Sequence, residues 1–183
     1  MSIETDRERF EAVYHATYEQ LLGYAARRCD RPEDAADAVA ETYLIAWRRI
    51  DRLPRDGEAR LWLYGVARKV LAGQRRKRHN RRERVAELDA ELAELFGGHS
   101  PFGTPESSVE LAAITRLFRE LPEADRELLS LLAWEGLDHA ELATVLGISR
   151  NAVRVRLHRA RRRFARLLAR DGLPVHHLAL ESL

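Results

Sequence analysis

The sequence predicts an all-α protein of two small helical domains joined by a flexible acidic linker, with a helix-turn-helix as the C-terminal domain. Three observations support this fold class. Apolar residues recur at steps of three and four along most of the 183 residues, whereas the alternation typical of strands is absent. A Gly- and Pro-rich stretch at residues 97–105 (GGHSPFGTP) separates two such helical regions. The composition, 45% hydrophobic and 33% charged, is typical of a soluble chain with buried cores.

Three helices are predicted in the N-terminal domain, residues 1–84. The first covers residues 6–28, and the second, residues 32–49, has proline in its first turn. After a loop at residues 53–57, the third runs from residue 58 to about 76 and continues into a basic run. The predicted apolar positions are Phe10, Val13, Tyr14, Tyr18, Leu21, Leu22 and Ala25 in the first helix, Ala36, Val39, Ala40, Tyr43, Trp47 and Ile50 in the second, and Leu61, Trp62, Tyr64, Gly65, Val66 and Leu71 in the third.

The predicted linker covers residues 85–105. Its first part, residues 85–96 (VAELDAELAELF), is acidic and has the pattern of a weak helix. The C-terminal domain is expected at residues 106–171, followed by a short tail at residues 172–183. Two adjacent histidines in this tail lack the further ligands that a metal site would need, so we expect the tail to pack or to bind a partner.

A helix-turn-helix is predicted within residues 121–163. Asp138 and Glu141 have the spacing of a capping box at the start of a short helix. Gly147 then breaks this helix, and Ser149 is a good N-cap for the next one. The apolar face of that second helix consists of Val153, Leu157, Ala160, Phe164, Leu167 and Leu168.

The opposite face of this second helix carries polar and basic groups. Residues 149–170 contain nine arginines and no acid, and Arg150, Asn151, Arg154 and His158 lie away from the apolar face. Such a helix suits the DNA major groove, where Arg pairs with guanine and Asn with adenine. A merely solvated helix is the alternative, but solvated helices usually mix charges of both signs.

A second basic segment ends the N-terminal domain. Residues 68–84 hold nine basic residues and one acid. Aromatic residues beside such a helix can stack on unpaired bases while its cations hold phosphates. The alternative is that the aromatic residues belong to the core, which is the better interpretation for Trp62. The candidate residues for base and phosphate contact are Trp62, Tyr64, Arg68, Lys69, Arg75 and Arg76.

Acidic residues mark one face of the second helix. Asp34, Asp37 and Glu41 are predicted to lie opposite Tyr43 and Trp47. The residues alone leave two interpretations open: a solvated acidic face, or a docking surface for a basic partner helix.

Several classes of site are excluded by composition. Cys29 is the single cysteine, so no intramolecular disulfide is expected, and no spacing of His and Cys predicts a zinc site. No active site is expected, because acid–base pairs, nucleophile constellations and phosphate loops are missing, and no cofactor is predicted. No segment is long and apolar enough for a membrane span, and the polar N-terminus is unlike a signal peptide, so we expect a cytoplasmic protein without membrane insertion.

Three segments together resemble the extracytoplasmic function (ECF) sigma factors, the small two-domain members of the bacterial sigma-70 family. They are residues 34–47 (DAADAVAETYLIAW), 60–76 (RLWLYGVARKVLAGQRR) and 121–163. The resemblance covers most of residues 10–168, in the order and spacing of the family, and the three segments together are highly specific.

The resemblance implies a promoter-specificity subunit of RNA polymerase. Residues 1–84 would be a region 2-like domain that binds the β′ clamp of the polymerase core and the −10 element of promoter DNA. Residues 106–171 would be a region 4-like domain that reads the −35 element and contacts the β flap. Residues 85–105 would thread toward the RNA exit path, and an anti-sigma factor is an implied further partner. No catalytic residue and no cofactor are implied.

The implied contacts can be assigned to individual residues. Polymerase core binding is implied for Asp34, Asp37, Glu41, Tyr43 and Trp47. Recognition and melting of the −10 element are implied for Trp62, Tyr64, Arg68, Lys69, Arg75 and Arg76. Recognition of the −35 element is implied for Ser149, Arg150, Asn151, Arg154, Arg156 and His158.

The sequence departs from the family pattern at a few positions. Lys69 stands where many members have Asn, and Gly73 where they have Asp or Asn. In the recognition helix, Ala152 and Val155 replace the frequent Thr and Ser, so two hydroxyl groups that could bond phosphate are absent.

Two other functions compete with this interpretation. A one-component transcription regulator would bind duplex DNA without polymerase and would not need the basic helix for melting. An enzyme acting on nucleic acid would need clustered carboxylates, for which Asp34, Asp37 and Glu41 are the only candidates. Transcription reconstituted from a matching promoter separates the three.

Overall fold

The computed structural model describes residues 3–55, 57–86 and 109–173. All regular structure in these residues is helical, as the periodicity predicts. The chain divides into two compact units, Met1–Phe102 and Gly103–Leu183. The predicted acidic helix at 85–96 lies outside the described residues except for Val85 and Ala86, and so do the Gly- and Pro-rich connection and most of the tail.

The described residues of the first unit form three α-helices and one turn of 3-10 helix. They are α1 (Ile3–Ala26), α2 (Pro32–Arg48), the 3-10 turn (Ile50–Arg52) and α3 (Ala59–Ala86). Helix α3 continues ten residues beyond the predicted end at residue 76, because no Gly or Pro interrupts the basic run.

The core of the first unit lies where the three helices meet. Leu21, Leu63 and the ring of Tyr24 are all at most 1% exposed. The Tyr24 and Tyr64 ring centroids are 5.0 Å apart, and the Arg28 guanidinium lies 3.7 Å from the centre of the Tyr24 ring. Tyr64 is therefore a core residue joining α1 to α3, with 2% of its surface exposed.

Helix α2 buries a face rotated from the predicted one. Ala36 and Ala40 were expected inside but are exposed. The α2 residues that are buried are Ala35, Ala38, Val39, Thr42, Tyr43 and Ala46. Thr42 enters this face because its hydroxyl donates to the carbonyl of Ala38 at 2.7 Å, so this buried hydroxyl is paired.

Arg9 ties the loop after α2 to α1. Its guanidinium donates to the carbonyl oxygens of Ile50 and Leu53, the latter at 2.8 Å. These bonds satisfy carbonyl groups at both ends of the 3-10 turn. The chain that leads from α2 into α3 is therefore held against the first helix.

In the second unit, residues 109–173 form four helices: α4 (Val109–Glu120), α5 (Glu123–Ala133), α6 (His139–Leu146) and α7 (Arg150–Arg170). Helix α7 packs against the other three through Val153, Leu157, Ala160, Phe164 and Leu168, each at most 4% exposed. The predicted apolar face of α7 is thereby confirmed, except that Leu167 is only half-buried.

Aromatic residues join the far end of α7 to its neighbours. The Phe118 ring of α4 lies edge-on to Phe164 of α7 at 5.5 Å and to Trp134 at 5.6 Å. These contacts fix the C-terminal half of α7 and leave its first turns to be positioned by α6.

Candidate nucleic-acid interface

The start of α6 is fixed by the predicted capping box. The Asp138 carboxylate accepts hydrogen bonds from the backbone N–H groups of Ala140 at 2.7 Å and Glu141 at 2.8 Å. In return, the Glu141 carboxylate accepts from the Asp138 backbone N–H at 2.9 Å. The two backbone donors, that of Glu141 foremost, lower the pKa of Asp138 because they stabilise its ionised form.

A short turn then joins α6 to α7. Gly147 has φ of +65°, a left-handed conformation that favours glycine, and the Ile148 N–H donates to the Ala143 carbonyl at 3.1 Å. Ser149 begins α7, with its hydroxyl accepting from the Ala152 N–H at 3.1 Å. The turn thus presents the first residues of α7 at the surface.

The exposed face of α7 contains the whole set predicted for the −35 contact. Each of its members, Ser149, Arg150, Asn151, Arg154, Arg156 and His158, is exposed. Two further residues extend this surface and were not predicted as contact residues from the sequence. Val155 is 42% exposed, and His139 from the start of α6 lines the same shallow concavity as Asn151, Arg154 and His158.

Arginines at the two ends of α7 have different surroundings. Arg163 forms an ion pair with Asp125 of α5, and Arg170 pairs with Glu120 of α4 at 2.8 Å. Within the described residues, Arg154 and Arg156 have no such partner. The N-terminal half of α7 therefore keeps its positive charge available for an external anion.

The predicted residues of α3 fall into two groups. Lys69 and Arg76 are exposed, whereas Trp62, Arg68 and Arg75 are half-buried. Burial in the core removes Tyr64 from the candidate base-contacting residues, because none of its ring face can reach a base.

A basic groove runs between α2 and α3. Lys69 and Lys77 line it from α3, Arg48 and Arg49 line it from the end of α2, and the Glu41 carboxylate lies among these cations. It has a volume of about 420 Å³. The sequence did not predict these two arginines as contact residues. It indicated only that they end the second helix, and it did not show that they share a surface with α3. Together with Arg76, they make this side of the first unit strongly positive.

The acidic surface of α2 is exposed as predicted, with two corrections: Tyr43 is buried, and Trp47 lies beside this surface rather than opposite to it. Asp37 and Glu41 are exposed and Asp34 is half-buried. Tyr43 is not available for a partner, because it is 5% exposed and bonds to the Thr17 hydroxyl at 2.9 Å. Burial is also the main cause that raises the pKa of Tyr43.

Two large apolar side chains adjoin the acidic residues. Trp47 is 40% exposed and packs edge-on against Phe10 at 5.3 Å. Leu44 is 47% exposed and was not predicted as a contact residue. An exposed Leu between Asp37 and Glu41 on one side and Trp47 on the other makes the surface amphipathic rather than simply acidic.

Metal binding and membrane spanning each require a particular arrangement of side chains. No group of three or more His, Cys, Asp and Glu side chains among the described residues is arranged to hold a metal ion. None of their helices is both long and apolar enough to cross a membrane. Cys29 is buried in the first unit, as expected for a small core residue.

Two family models match this chain in the order of its two units. Residues 13–82 match sigma-70 region 2, and residues 111–164 match sigma-70 region 4. The first match contains α2 and the exposed part of α3, and the second contains the helix-turn-helix.

Curated relatives agree with these matches. The RNA polymerase sigma factor NccH of Alcaligenes xylosoxydans xylosoxydans is 34% identical over 151 residues, which cover 81% of each chain. The RNA polymerase sigma factor CnrH of Cupriavidus metallidurans is 31% identical over 157 residues, 82% of each chain. The ECF RNA polymerase sigma factor SigL of Mycobacterium tuberculosis is 30% identical over 162 residues, 81% of this chain and 85% of SigL.

Solved structures share the fold. The sigma factor RpoE of Bartonella quintana, crystallised with the anti-sigma factor NepR, has a TM-score of 0.63 at 23% identity and covers 87% of this chain and 96% of its own. CnrH in complex with the cytosolic domain of CnrY has a TM-score of 0.60 at 24% identity, with 88% of each chain covered.

Proposed function

Because the chain belongs to the ECF sigma factors of the sigma-70 family, we propose that its two units present three surfaces to RNA polymerase and promoter DNA. The observation that carries the proposal is the capped helix-turn-helix, in which Arg154 and Arg156 of the recognition helix have no ion-pair partner within the described residues. Residues 1–84 form the domain that binds the polymerase core and the −10 element. Residues 106–171 form the domain that binds the −35 element, and residues 85–105 link the two.

The first surface is the N-terminal half of α7, which reads the −35 element. Arg150, Asn151 and Arg154 lie in the first turns, where a recognition helix reaches base edges in the major groove. Ser149, at the N-terminus of the helix, and Arg156, on its flank, are better suited to phosphate oxygens. His158 lies one turn beyond Arg154 and extends the same contact along the groove.

The second surface is the positive side of the first unit, which holds the −10 element. Lys69 and Arg76 supply cations on the exposed face of α3, and Arg48 and Arg49 add two more across the groove. These groups bind phosphates of a separated strand, and the exposed part of Trp62 offers a ring on which an unpaired base can stack.

A melting assay tests this second surface. Replacing Lys69 and Arg76 with Ala removes exposed cations and no core contact, so open complexes should decrease more than initial promoter binding. Permanganate reactivity of unpaired thymines measures the melted region. Equal reactivity in the variant and the unchanged protein contradicts the assignment.

The third surface is the amphipathic face of α2, which docks on the β′ clamp of the polymerase core. Asp37 and Glu41 supply charge complementary to a basic partner helix, and Asp34 extends the acidic row. Leu44 and Trp47 supply the apolar area that stabilises the complex once it has formed.

Further partners follow from the family. The region 4-like domain is proposed to contact the β flap. An anti-sigma factor is proposed as the regulator. Of the two structures that share the fold, one is a complex with the anti-sigma factor NepR, and the other is a complex with the cytosolic domain of CnrY. A subunit of this kind acts where the polymerase acts, in the cytoplasm, and its own chain supplies binding surfaces rather than catalytic groups.

Reconstituted transcription tests the function as a whole. Core polymerase with the added chain should initiate from a promoter selected out of a random duplex pool, and core polymerase alone should not. A one-component regulator gives the opposite pattern, with duplex binding that needs no polymerase and no core-dependent initiation.

A further inference from the structure

Val155 has an unusual position on α7. It is 42% exposed and, among the described residues, it is the large apolar side chain that α7 leaves open to solvent. Successive residues of an α-helix are 100° apart, which sets Val155 nearly opposite the buried face formed by Val153, Leu157 and Ala160.

Neither the helix nor the core accounts for valine at this position. A β-branched side chain forms helix less readily than Ala or Arg, because its χ1 rotation is restricted by the preceding turn. The side chain also buries little apolar area within the unit. The property that valine adds at position 155 is therefore an apolar surface offered to something outside the chain.

The surroundings of Val155 indicate what that partner is. Asn151 lies one turn before it, and His158 and Arg159 lie one turn after it. These residues and Arg154 line the same concavity as Val155. Polar and cationic groups thus surround a small apolar centre on the face proposed to enter the major groove. The base edges exposed in that groove are polar, with one exception, the C5-methyl group of thymine.

We propose that Val155 reads the C5-methyl group of a pyrimidine in the −35 element, which in unmodified DNA is a thymine. The inference rests on the proposed role of α7 in −35 recognition. It assigns one base position of the promoter to an apolar contact, in addition to the hydrogen bonds made by the neighbouring Asn and Arg side chains.

The experiment uses holoenzyme reconstituted from core polymerase and the full chain. A preferred −35 element is first selected from a random pool, and each thymine in it is then replaced by deoxyuridine, which lacks only the methyl group. At one position the affinity should fall by about fourfold, the effect expected for one methyl-sized apolar group leaving a contact. Holoenzyme with Val155→Ala should bind the thymine and uracil duplexes equally well, because the two changes remove the same contact.

A second pair of duplexes tests the methyl group independently of thymine. Deoxycytidine and 5-methyldeoxycytidine at the responsive position differ by the same methyl. The unchanged holoenzyme should prefer the methylated duplex by a similar factor, and the Val155→Ala holoenzyme should show no preference.

Arg162→Ala serves as the matched control. Arg162 is exposed two turns after Val155 along the same face and, in the described part of the chain, has no ion-pair partner. Its truncation should weaken all duplexes and preserve the ratio of thymine to uracil affinity.

The outcomes separate the inference from the function on which it rests. If the unchanged holoenzyme does not distinguish the selected element from a scrambled one, the proposed −35 function fails. The role of Val155 is overturned, while −35 recognition stands, in two other cases. In the first, the holoenzyme distinguishes the two elements but no replacement of thymine by deoxyuridine lowers its affinity. In the second, the Val155→Ala holoenzyme shows the same loss of affinity on that replacement as the unchanged holoenzyme.

Discussion

Truncation of Arg154 should distinguish base reading from general DNA affinity. Arg154 is exposed in the second turn of α7, lines a concavity with His139, and has no ion-pair partner within the described residues. Its guanidinium is therefore free to make the paired hydrogen bonds with guanine that are worth about 1–3 kcal/mol. Arg154→Ala should weaken binding to the preferred −35 element by roughly 5- to 150-fold and relax the preference at one base pair.

Two other arginines of the same helix provide matched controls. Arg159 is exposed and lies further from the helix N-terminus, so we assign it to a phosphate. Arg159→Ala should weaken all sequences alike and reduce the slope of log affinity against log salt by about 0.9. Arg163 is held by Asp125, so Arg163→Ala should change stability by at most about 1 kcal/mol and leave the specificity ratio unchanged.

The assay is a binding titration of holoenzyme on matched and scrambled duplexes at several salt concentrations. The ratio of the two affinities reports base reading, and the salt slope reports phosphate contacts. If Arg154→Ala lowers the affinity for every duplex by the same factor, the assignment to a base is refuted, and Arg154 belongs with the phosphate-binding residues.

Three further predictions concern docking, backbone conformation and pH. Reversing Asp37 and Glu41 to Lys should abolish co-purification with core polymerase while the circular dichroism of the chain stays unchanged; retained co-purification contradicts the docking surface. Gly73→Ala should stabilise the first unit by about 0.5–1 kcal/mol in urea unfolding, because the site is helical and an added Cβ meets no atom within 4 Å. Gly147→Ala should instead destabilise the second unit by about 1–2 kcal/mol, because its φ is +65°; equal effects of the two changes would refute this reasoning. Since folding lowers the pKa of Asp138 below its ordinary value of 3.8, the ionised carboxylate favours the folded state, and the resulting stability should disappear as the pH falls through that lowered pKa. The measurement is the urea concentration at the unfolding midpoint, followed as the pH is lowered. Asp138→Asn should reduce the fall of this midpoint at acid pH, and an unchanged fall would exclude Asp138 as its source.

The helix-turn-helix was predictable from the sequence because single residues specify its boundaries. Asp138 and Glu141 can satisfy each other's backbone only at the first turn of a helix. Gly147 is the residue that a left-handed helix end requires, and Ser149 caps the helix that follows. Each of these roles depends on local chemistry within a few residues, so no tertiary information was needed.

The packing of α2 was harder to predict, because its buried face consists largely of small residues. Alanine is equally acceptable on the buried and the exposed face of a helix, so the pattern did not distinguish Ala35 from Ala36. Tyr43 was an ambiguous residue for a related reason, since a tyrosine is suited to a core or to a contact surface. Its hydroxyl is satisfied by Thr17, which is 26 residues away in sequence, and local patterns cannot reveal a bond of that kind.

The charge available to DNA on α7 is determined by acids elsewhere in the second unit. Helix α7 has no acid of its own, so each ion pair must come from a neighbouring helix or from the residue that ends α7. Asp125 and Glu120 neutralise arginines of its C-terminal half, at positions 163 and 170. Near its N-terminal half, Asp138 and Glu141 are engaged in the capping box. The cap directs these carboxylates at backbone N–H groups but does not cancel their charge. Asp138 interacts electrostatically with Arg150, whereas Arg154 and Arg156 have no ion-pair partner within the described residues. A count of arginines along the helix would overstate its DNA-binding charge, whereas the positions of the acids show where that charge remains.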